Sequence, residues 1–335
     1  FKNGQEVKGR LFWGQYGQGK SHLLISVEHL ALDMGFAVSF VTLSREVTCQ
    51  NLLSFYQRVA SVIRTPSHNV PGLQHILSQQ RPDDIPNFPF KEDERYCHRW
   101  PVVVLETLLH YGADDEYYYC LYEDLMGHRM QLKELRQLAQ RVGLMNLLEN
   151  MPRFKREHAR AYFGLMADTL RWCGFHGWVI LVDEVELIGR LGKIGRLQAY
   201  LNLGWLLNWI ETMPYPIYLI GAAASSFQEV LYNQYGRRQP DNITIPELAK
   251  LKFDEQTERQ MRNFFKFAMD NNYNRNIEPI KKESILPLLE KLVSVHAEAH
   301  DWNPPINQLS LKDKIDRLPE DTRVRGYIRY ILDFL

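Results

Sequence analysis

The sequence predicts an α/β fold in which a parallel sheet is flanked by helices, with a helical insertion and a C-terminal helical lid. Three observations support it: a glycine-rich loop joins a strand pattern to a helix pattern, an apolar run ends in two acidic residues, and residues 257–335 show helical spacing. Strands that alternate with helices build parallel sheets, because parallel strands need a crossover. We expect a core of residues 1–250, with the insertion over about 65–150, and a lid of residues 251–335.

The glycine-rich loop follows the apolar run Arg10–Trp13 and precedes a helical pattern over residues 22–32. It reads G-x-x-x-x-G-K-S, the P-loop template, in which backbone N–H groups surround a triphosphate and the next helix points its positive end at the phosphates. A glycine-rich turn without a ligand is the alternative. The predicted nucleotide-binding residues are Gly14, Gln15, Tyr16, Gly17, Gln18, Gly19, Lys20, Ser21 and His22. Lys20 would reach the β- and γ-phosphates and Ser21 would ligate Mg²⁺.

The second strand pattern, residues 35–43, completes a β-α-β unit. A further run, Trp178–Val182, is wholly apolar, as expected for a strand buried on both faces, and it ends in Asp183 and Glu184. This is the Walker B pattern, in which Asp183 would hold Mg²⁺ and Glu184 would orient the attacking water. The alternative for this pair is an ordinary strand end with a solvated acidic turn. Glu186 could assist in sensing the metal or the nucleotide, but a solvated acid at a helix start is the expectation.

Polar residues follow the next strand pattern, residues 216–221. Ser225 is a candidate to contact the γ-phosphate or its water, with Ser226 next to it. Either serine could instead cap a helix N-terminus. Further along, a short strand is expected to end at Asp254 before the lid helices begin.

Arginines in the last part of the chain are candidates to sense phosphate. Arg325, and after it Arg323, lies at the start of a predicted lid helix, where a guanidinium can reach across the phosphates. A solvated basic helix face is the alternative. Arg237 and Arg238 are weaker candidates for an arginine finger that reaches a neighbouring subunit of an oligomer.

Composition restricts the classes of function. The chain is 45% hydrophobic and 24% charged, which is typical of a packed globular protein. Its 40 Lys and Arg balance 40 Asp and Glu, which argues against a strongly basic protein that coats nucleic acid. The four cysteines form no C-x-x-C pair, and no apolar run is long enough to span a membrane. We therefore expect a cytoplasmic protein without a membrane partner.

Three segments resemble the BREX-type ATP-binding proteins of the BrxC/BrxD kind, P-loop ATPases of prokaryotic phage-defence gene clusters. They are the G-x-Y-G-x-G-K-S-H loop at residues 14–22, Leu125-Met-Gly127 within residues 120–142, and the Asp183-Glu-Val-Glu186 turn of residues 174–188. The resemblance implies an AAA+-like fold, related to initiator and helicase-loader ATPases, with ATP and Mg²⁺ as cofactors. It also implies a homo-oligomer that acts on DNA with a helicase or nuclease partner. The segment ahead of the loop departs from the family by being short, so we expect part of the adenine pocket upstream of residue 1.

The resulting hypothesis is an ATP-hydrolysing motor or switch of an anti-phage defence system. A nucleotide-dependent regulatory scaffold with little turnover is the alternative, and a P-loop kinase for a small molecule is a third possibility. Glu184 favours the first, because a pure switch can dispense with a carboxylate that activates water. The absence of an N-K-x-D motif, which reads guanine, favours ATP over GTP.

Overall fold

A six-stranded sheet forms the centre of the molecule, whose computed structural model describes residues 7–66, 72–78, 80, 95–234, 239–278, 281–301, 308–319 and 322–333. The strands are β1 (Arg10–Gly14), β2 (Ala37–Thr42), β3 (Ile63–Arg64), β4 (Trp178–Asp183), β5 (Ile217–Ala224) and β6 (Asn274–Asn276). Their spatial order is β3-β2-β4-β5-β1-β6. Every pair is parallel except β2 with β3, which is antiparallel. The predicted α/β chain with a mostly parallel sheet flanked by helices is thereby confirmed.

Fourteen α-helices occur among the described residues. They are α1 (Lys20–Asp33), α2 (Leu52–Ser61), α3 (Gln74–Ser78), α4 (Trp100–Leu109), α5 (Glu116–Leu125), α6 (Leu132–Arg141), α7 (Ala159–Trp172), α8 (Lys193–Leu206), α9 (Phe227–Tyr232), α10 (Asp241–Lys252), α11 (Glu255–Met269), α12 (Lys282–His300), α13 (Gln308–Asp316) and α14 (Val324–Leu332). No helix in these ranges is long and apolar enough to cross a lipid bilayer.

The sheet separates two apolar clusters, because successive side chains of a strand point to opposite faces. Leu11 and Trp13 of β1 belong to the large cluster, which also contains residues of α2, α4–α8, α10 and α11. Phe12 packs on the smaller cluster beneath α1, with Leu24 of that helix at its centre. All six residues of β4 are buried, in agreement with the apolar run from which this strand was predicted.

The register of the parallel strands brings four strand ends to one edge of the sheet. Gly14 at the end of β1 pairs with Ala224 at the end of β5, and Asp183 at the end of β4 pairs with Thr42 at the end of β2. In open α/β sheets, ligands bind in the crevice outside the carboxyl ends of the strands. The candidate site described below lies at this edge.

The C-terminal helices fall into two groups by their packing. Met261 and Phe264 of α11 belong to the large cluster beside the sheet. Helices α12–α14 instead form a cluster of their own, centred on the buried side chains Ile285, Leu289 and Tyr327. The division into residues 1–250 and 251–335 stays a prediction, and the packing of α11 favours a boundary after that helix.

One local prediction is wrong. The segment predicted to end a short strand at Asp254 is the end of α10, and Asp254 is instead the N-cap of α11, where its side chain accepts a hydrogen bond from the Thr257 N–H. The error has a physical source, since Pro246 lies inside α10 and proline normally argues against a helix interior. Burial of Ile245 and Ala249 in the large cluster outweighs that preference.

The helical region ahead of β4 contains a buried histidine. Nδ1 of His98 accepts a hydrogen bond from the Trp100 N–H at 3.0 Å, and Nε2 lies 3.0 Å from the Pro152 carbonyl oxygen. Accepting at one nitrogen and donating at the other requires the neutral ring. Burial lowers the pKa of His98 from its ordinary value of 6.5, and the positive charges of His158 and Arg129 act in the same direction.

We expect the free energy of unfolding to decrease as the pH falls below 6.5. With a lowered pKa in the folded chain, the unfolded chain takes up this proton first; the stabilising contribution is therefore complete above 6.5 and is lost below it. Urea unfolding between about pH 7.5 and pH 5.5 measures the change. The free energy of unfolding should change less with pH in His98→Gln than in the control His29→Gln, which replaces an exposed histidine. An equal change of the free energy of unfolding with pH in the two variants would show that His98 is not its source.

Candidate functional site

The glycine loop, residues 14–19, joins β1 directly to α1 at the edge where the strand ends meet. Gly17 and Gly19 adopt positive φ angles of 77° and 96°. This left-handed conformation costs about 1–2 kcal/mol for a residue with a β-carbon, so the sequence needs glycine here. A β-carbon built at Gly19 would meet nothing within 4 Å, which leaves open space in front of the loop.

Gln18 fixes the shape of the loop from within. Its Oε1 accepts a hydrogen bond from the Gln15 N–H at 2.7 Å, and its Nε2 donates to the Ile277 carbonyl oxygen at 2.6 Å. Ile277 directly follows β6, so this side chain ties the loop to the edge strand. The sequence pattern placed Gln18 at a variable position of the motif and carried no signal for this contact.

Lys20 is the first residue of α1 and is buried, with 7% of its surface exposed. Its Nζ lies 3.3 Å from the carbonyl oxygens of both Gly14 and Gln15, so the ammonium group sits inside the curve of the glycine loop. These are long hydrogen bonds. A negatively charged ligand in the loop would offer the ammonium group a stronger, charge-assisted partner.

Ser21 and Asp183, predicted to serve the same ion, are in direct contact. The Ser21 hydroxyl donates a hydrogen bond of 2.5 Å to Oδ2 of Asp183. The other carboxylate oxygen, Oδ1, accepts from the Glu184 N–H at 2.9 Å. Asp183 is 3% exposed, so these contacts compensate for the burial of its charge. Two segments that are far apart in sequence therefore meet at one point in front of α1.

Glu184 follows β4 in a left-handed backbone conformation, with φ 58° and ψ 37°. Its side chain is half-buried. Partial burial raises the pKa of Glu184, the nearby carboxylates of Glu186 and Asp183 raise it further, and Lys20 opposes the shift. This group of charges lies at the mouth of a fully buried strand.

Glu186 lies in the first turn of the 3₁₀ helix Val185–Arg190, as expected, but the expectation that its carboxylate is solvated is wrong. Its Oε2 accepts a hydrogen bond of 2.9 Å from the Ala224 N–H at the end of β5. The residues that follow β5 are tied to the loop as well, because the Ser225 N–H donates to the Gly14 carbonyl oxygen at 3.1 Å. Ser225 is thus adjacent to the loop, whereas Ser226 is exposed at the N-cap of α9 and its side chain makes no capping hydrogen bond.

Both arginines predicted at the start of the last helix contact the glycine loop through Tyr16. Nη1 of Arg325 donates to the Tyr16 hydroxyl at 2.7 Å, and the guanidinium carbon lies 5.3 Å from the centre of the tyrosine ring. Arg323 donates to the Tyr16 carbonyl oxygen at 2.8 Å, and a β-carbon at Gly17 would lie 3.3 Å from Cβ of Arg325. The start of α14 therefore packs directly on the loop.

Arg237 and Arg238, the candidates for an arginine finger, are outside the described residues. His22 is exposed on the first turn of α1, and its carbonyl oxygen accepts a hydrogen bond from Ser26. Nothing in the geometry brings the His22 ring into the site.

The residues at this edge fit a magnesium–triphosphate group by their chemistry. A hydroxyl and a carboxylate, those of Ser21 and Asp183, are the oxygen ligands that Mg²⁺ prefers. Mg²⁺ usually takes only one or two protein ligands beside phosphate and water. Among the described residues, no group of three or more His, Cys, Asp or Glu side chains is arranged to hold a metal ion. The loop, with Lys20 inside its curve, supplies amides and a cation for phosphate oxygens.

The comparisons with known proteins address the same part of the chain. No curated protein matches it. Residues 3–80 match the family described as BREX system ATP-binding protein BrxC/D, and this segment carries β1, the glycine loop, α1 and β2. The family resemblance predicted from the sequence is confirmed over this segment, because residues 3–80 are similar to the BREX system ATP-binding protein BrxC/D family.

Proposed function

We propose that this protein binds and hydrolyses ATP with Mg²⁺, as a motor or switch of a prokaryotic anti-phage defence system. The observation that carries the proposal is the hydrogen bond from Ser21 to Asp183 at the open end of the glycine loop. Hydrolysis needs a phosphate cradle, a metal anchor and a group that orients water, and residues suited to these three tasks meet at one edge of the sheet. The family match over residues 3–80 supports ATP as the ligand.

In the proposed site, each group has a separate task. The amides of the glycine loop and the Lys20 ammonium group bind the β- and γ-phosphates, while Ser21 and Asp183 hold the metal. Bound Mg²⁺ neutralises charge that develops on the phosphate oxygens. Glu184 orients the attacking water, and Ser225 is positioned to contact the γ-phosphate or that water. Arg325, with Arg323 beside it, senses the γ-phosphate from the C-terminal helices.

Our proposal for the architecture is a P-loop NTPase core of the AAA+-like kind with a helical insertion and a helical lid. It is supported by the position of the loop between β1 and α1 and by the contact of α14 with Tyr16. The separate apolar cluster of α12–α14 supports a lid that moves as one unit. From the BREX assignment we also propose action on DNA, a homo-oligomer, and a helicase or nuclease partner.

An ATPase assay with and without Mg²⁺ and DNA tests the proposed function. We expect Mg²⁺-dependent release of phosphate from ATP, measured together with particle size in the presence of a slowly hydrolysed ATP analogue. A phosphorylated acceptor other than water would instead indicate a P-loop kinase. No phosphate release under any of these conditions would contradict hydrolysis.

We expect Arg325→Ala to weaken ATP binding by about tenfold, since one charge-assisted hydrogen bond contributes about 1.5–3 kcal/mol. In the free protein Arg325 is held over the loop by Tyr16, so little ordering is needed when phosphate replaces the tyrosine hydroxyl as its partner. Titration with a fluorescent ATP analogue measures the change. Arg329→Ala is the matched control, because Arg329 is an exposed arginine of the same helix. Equal affinities for the two variants would contradict a role for Arg325 in binding.

A further inference from the structure

The segment that links α5 to α7 carries an excess of positive charge. Over residues 126–158, which contain α6, the sequence has seven Lys and Arg but three Asp and Glu, whereas the whole chain has equal numbers of the two kinds. A local excess of this kind produces a positive surface potential that the net charge of the chain conceals. All seven cationic side chains are exposed: Arg129, Lys133, Arg136, Arg141, Arg153, Lys155 and Arg156.

Arg129 is held in place by two aromatic rings. Its guanidinium carbon lies 4.4 Å from the centre of the Trp100 ring and 3.9 Å from the centre of the Phe154 ring. The residue is nonetheless exposed. The carboxylate of Asp124, the buried acid of this region, already accepts hydrogen bonds from the Trp100 side chain and the Met130 N–H. A guanidinium fixed in this way loses little conformational entropy when it binds an anion.

Three further cations lie beside Phe154. Arg153 and Lys155 are its neighbours in the chain, and Arg156 starts a short 3₁₀ helix. The Lys155 N–H donates to Nδ1 of His158 at 3.0 Å, and the centre of the His158 ring lies 5.5 Å from that of Phe154, so this turn folds back onto the phenylalanine. These three side chains and the guanidinium stacked on the ring therefore share one small area of the surface.

The Phe154 ring is itself occupied by protein groups. Besides Arg129, it contacts the rings of His98, His158 and Tyr162, with centres at 5.1, 5.5 and 5.9 Å, and it is half-buried. Proteins that bind single strands stack unpaired bases on free aromatic faces. A ring packed in this way does not offer such a face, which favours a double-stranded ligand that is held through its backbone.

We propose that Arg129, Arg153, Lys155 and Arg156, here called the Phe154 patch, bind the phosphate backbone of double-stranded DNA. The inference rests on the proposed function for the choice of DNA and adds the surface that contacts it. Guanidinium groups bind phosphate oxygens through paired, charge-assisted hydrogen bonds. The acid in the same turn, Glu157, lies 3.7 Å from the Lys155 ammonium group and leaves the three guanidinium groups available. Because phosphate contacts carry no sequence information, the patch holds any duplex.

Fluorescence anisotropy with a labelled DNA duplex of about 30 base pairs, over salt concentrations of about 50 to 200 mM, tests the patch. We expect the triple variant Arg153→Ala/Lys155→Ala/Arg156→Ala to weaken binding at least about 30-fold at the middle of this range. The slope of log affinity against log salt should fall by about 2 to 3, since each phosphate contact contributes about 0.9. Arg129→Gln keeps a planar group between the rings without the charge, and it should lower the slope by about 1.

The control is Lys252→Ala/Arg259→Ala/Lys266→Ala, which removes three exposed cations of α10 and α11 and changes the net charge equally. We expect it to bind DNA within about twofold of the unmodified protein. Equal weakening in the two triple variants overturns the inference, because the net charge then explains the loss. Unchanged affinity and slope in the patch variant overturn it as well, and thermal unfolding curves check that each variant is folded.

The binding experiment separates this inference from ATP hydrolysis, because it is run without nucleotide and again with a slowly hydrolysed ATP analogue. If the unmodified protein binds the duplex through the patch but releases no phosphate from ATP, the proposed hydrolysis fails and the inference stands. If ATP is hydrolysed and the duplex is bound under neither condition, the inference is overturned. Binding of an RNA duplex of the same length at least about tenfold more tightly overturns the choice of DNA.

Discussion

Replacing Lys20 with alanine is expected to weaken ATP binding at least 100-fold, or about 2.8 kcal/mol, without unfolding the chain. The ammonium group lies inside the curve of the glycine loop, where its contacts are two carbonyl oxygens at 3.3 Å. In the nucleotide complex it would form charge-assisted hydrogen bonds with phosphate, each contributing about 1.5–3 kcal/mol. The apolar clusters on the two faces of the sheet do not include Lys20, so its removal leaves the core intact.

Calorimetric titration with ATP and Mg²⁺ measures the loss of affinity, and a thermal unfolding curve of the same sample checks the fold. Lys193→Ala is the matched control: Lys193 is also the first residue of its helix, α8, but it is exposed. We expect the control to bind ATP as the unmodified protein does. Normal ATP affinity in Lys20→Ala would show that the nucleotide site lies elsewhere.

Local patterns predicted the parts of the site that are continuous in sequence. The glycine loop was predictable because positive φ angles at Gly17 and Gly19 require glycine, so the geometry leaves a trace in the sequence. β4 was predictable because a strand buried on both faces is an uninterrupted apolar run. The proximity of Ser21 and Asp183 was predictable because the two motifs assign these residues to the same Mg²⁺ ion.

Contacts between distant segments were not predictable from these patterns. Nothing in the local sequence of Glu186 shows that a backbone N–H of β5 lies within reach, so solvation was the natural expectation for this acid. The contact of Gln18 with Ile277 was not predictable either. Ile277 follows β6, and β6 has only three residues, all polar, so the sequence shows no strand pattern there. The position of β6 beside β1 is set by main-chain pairing and by the Asn274 side chain, which donates a hydrogen bond to the Phe267 carbonyl oxygen of α11. Neither contact leaves a hydrophobic pattern in β6 itself.

The contact between the C-terminal helices and the glycine loop was only partly predictable from the sequence. Helical spacing predicted the helices, and arginine chemistry selected Arg325, but the sequence contained no indication that Tyr16 would be its partner in the free protein. Tyr16 occupies a position of the glycine loop at which the motif allows any residue. The side chain is 65% exposed, so burial does not explain its identity, whereas its contact with Arg325 of α14 does.

Replacing Glu184 with glutamine is expected to reduce ATP hydrolysis by at least about 100-fold while ATP remains bound. Glutamine has the same shape but cannot accept a proton, so phosphate binding and the metal ligands are preserved while the attacking water loses its carboxylate partner. The left-handed backbone at Glu184 is equally accessible to glutamine as a non-glycine residue, so the substitution adds no new steric strain. Glutamate and glutamine at position 184 therefore differ in their ability to accept a proton and not in the position of the side chain.

This variant also separates the motor from the regulatory scaffold. For an ATPase, Glu184→Gln should retain ATP and accumulate the nucleotide-bound state, which a filter-binding assay with labelled ATP detects together with the loss of released phosphate. A scaffold with little turnover would show the same low rate in the unmodified protein and in Glu184→Gln, even with DNA and the partner protein present. That result would contradict the motor, because the carboxylate of Glu184, which directly follows Asp183 at the end of β4, would then have no effect on the fate of the bound nucleotide.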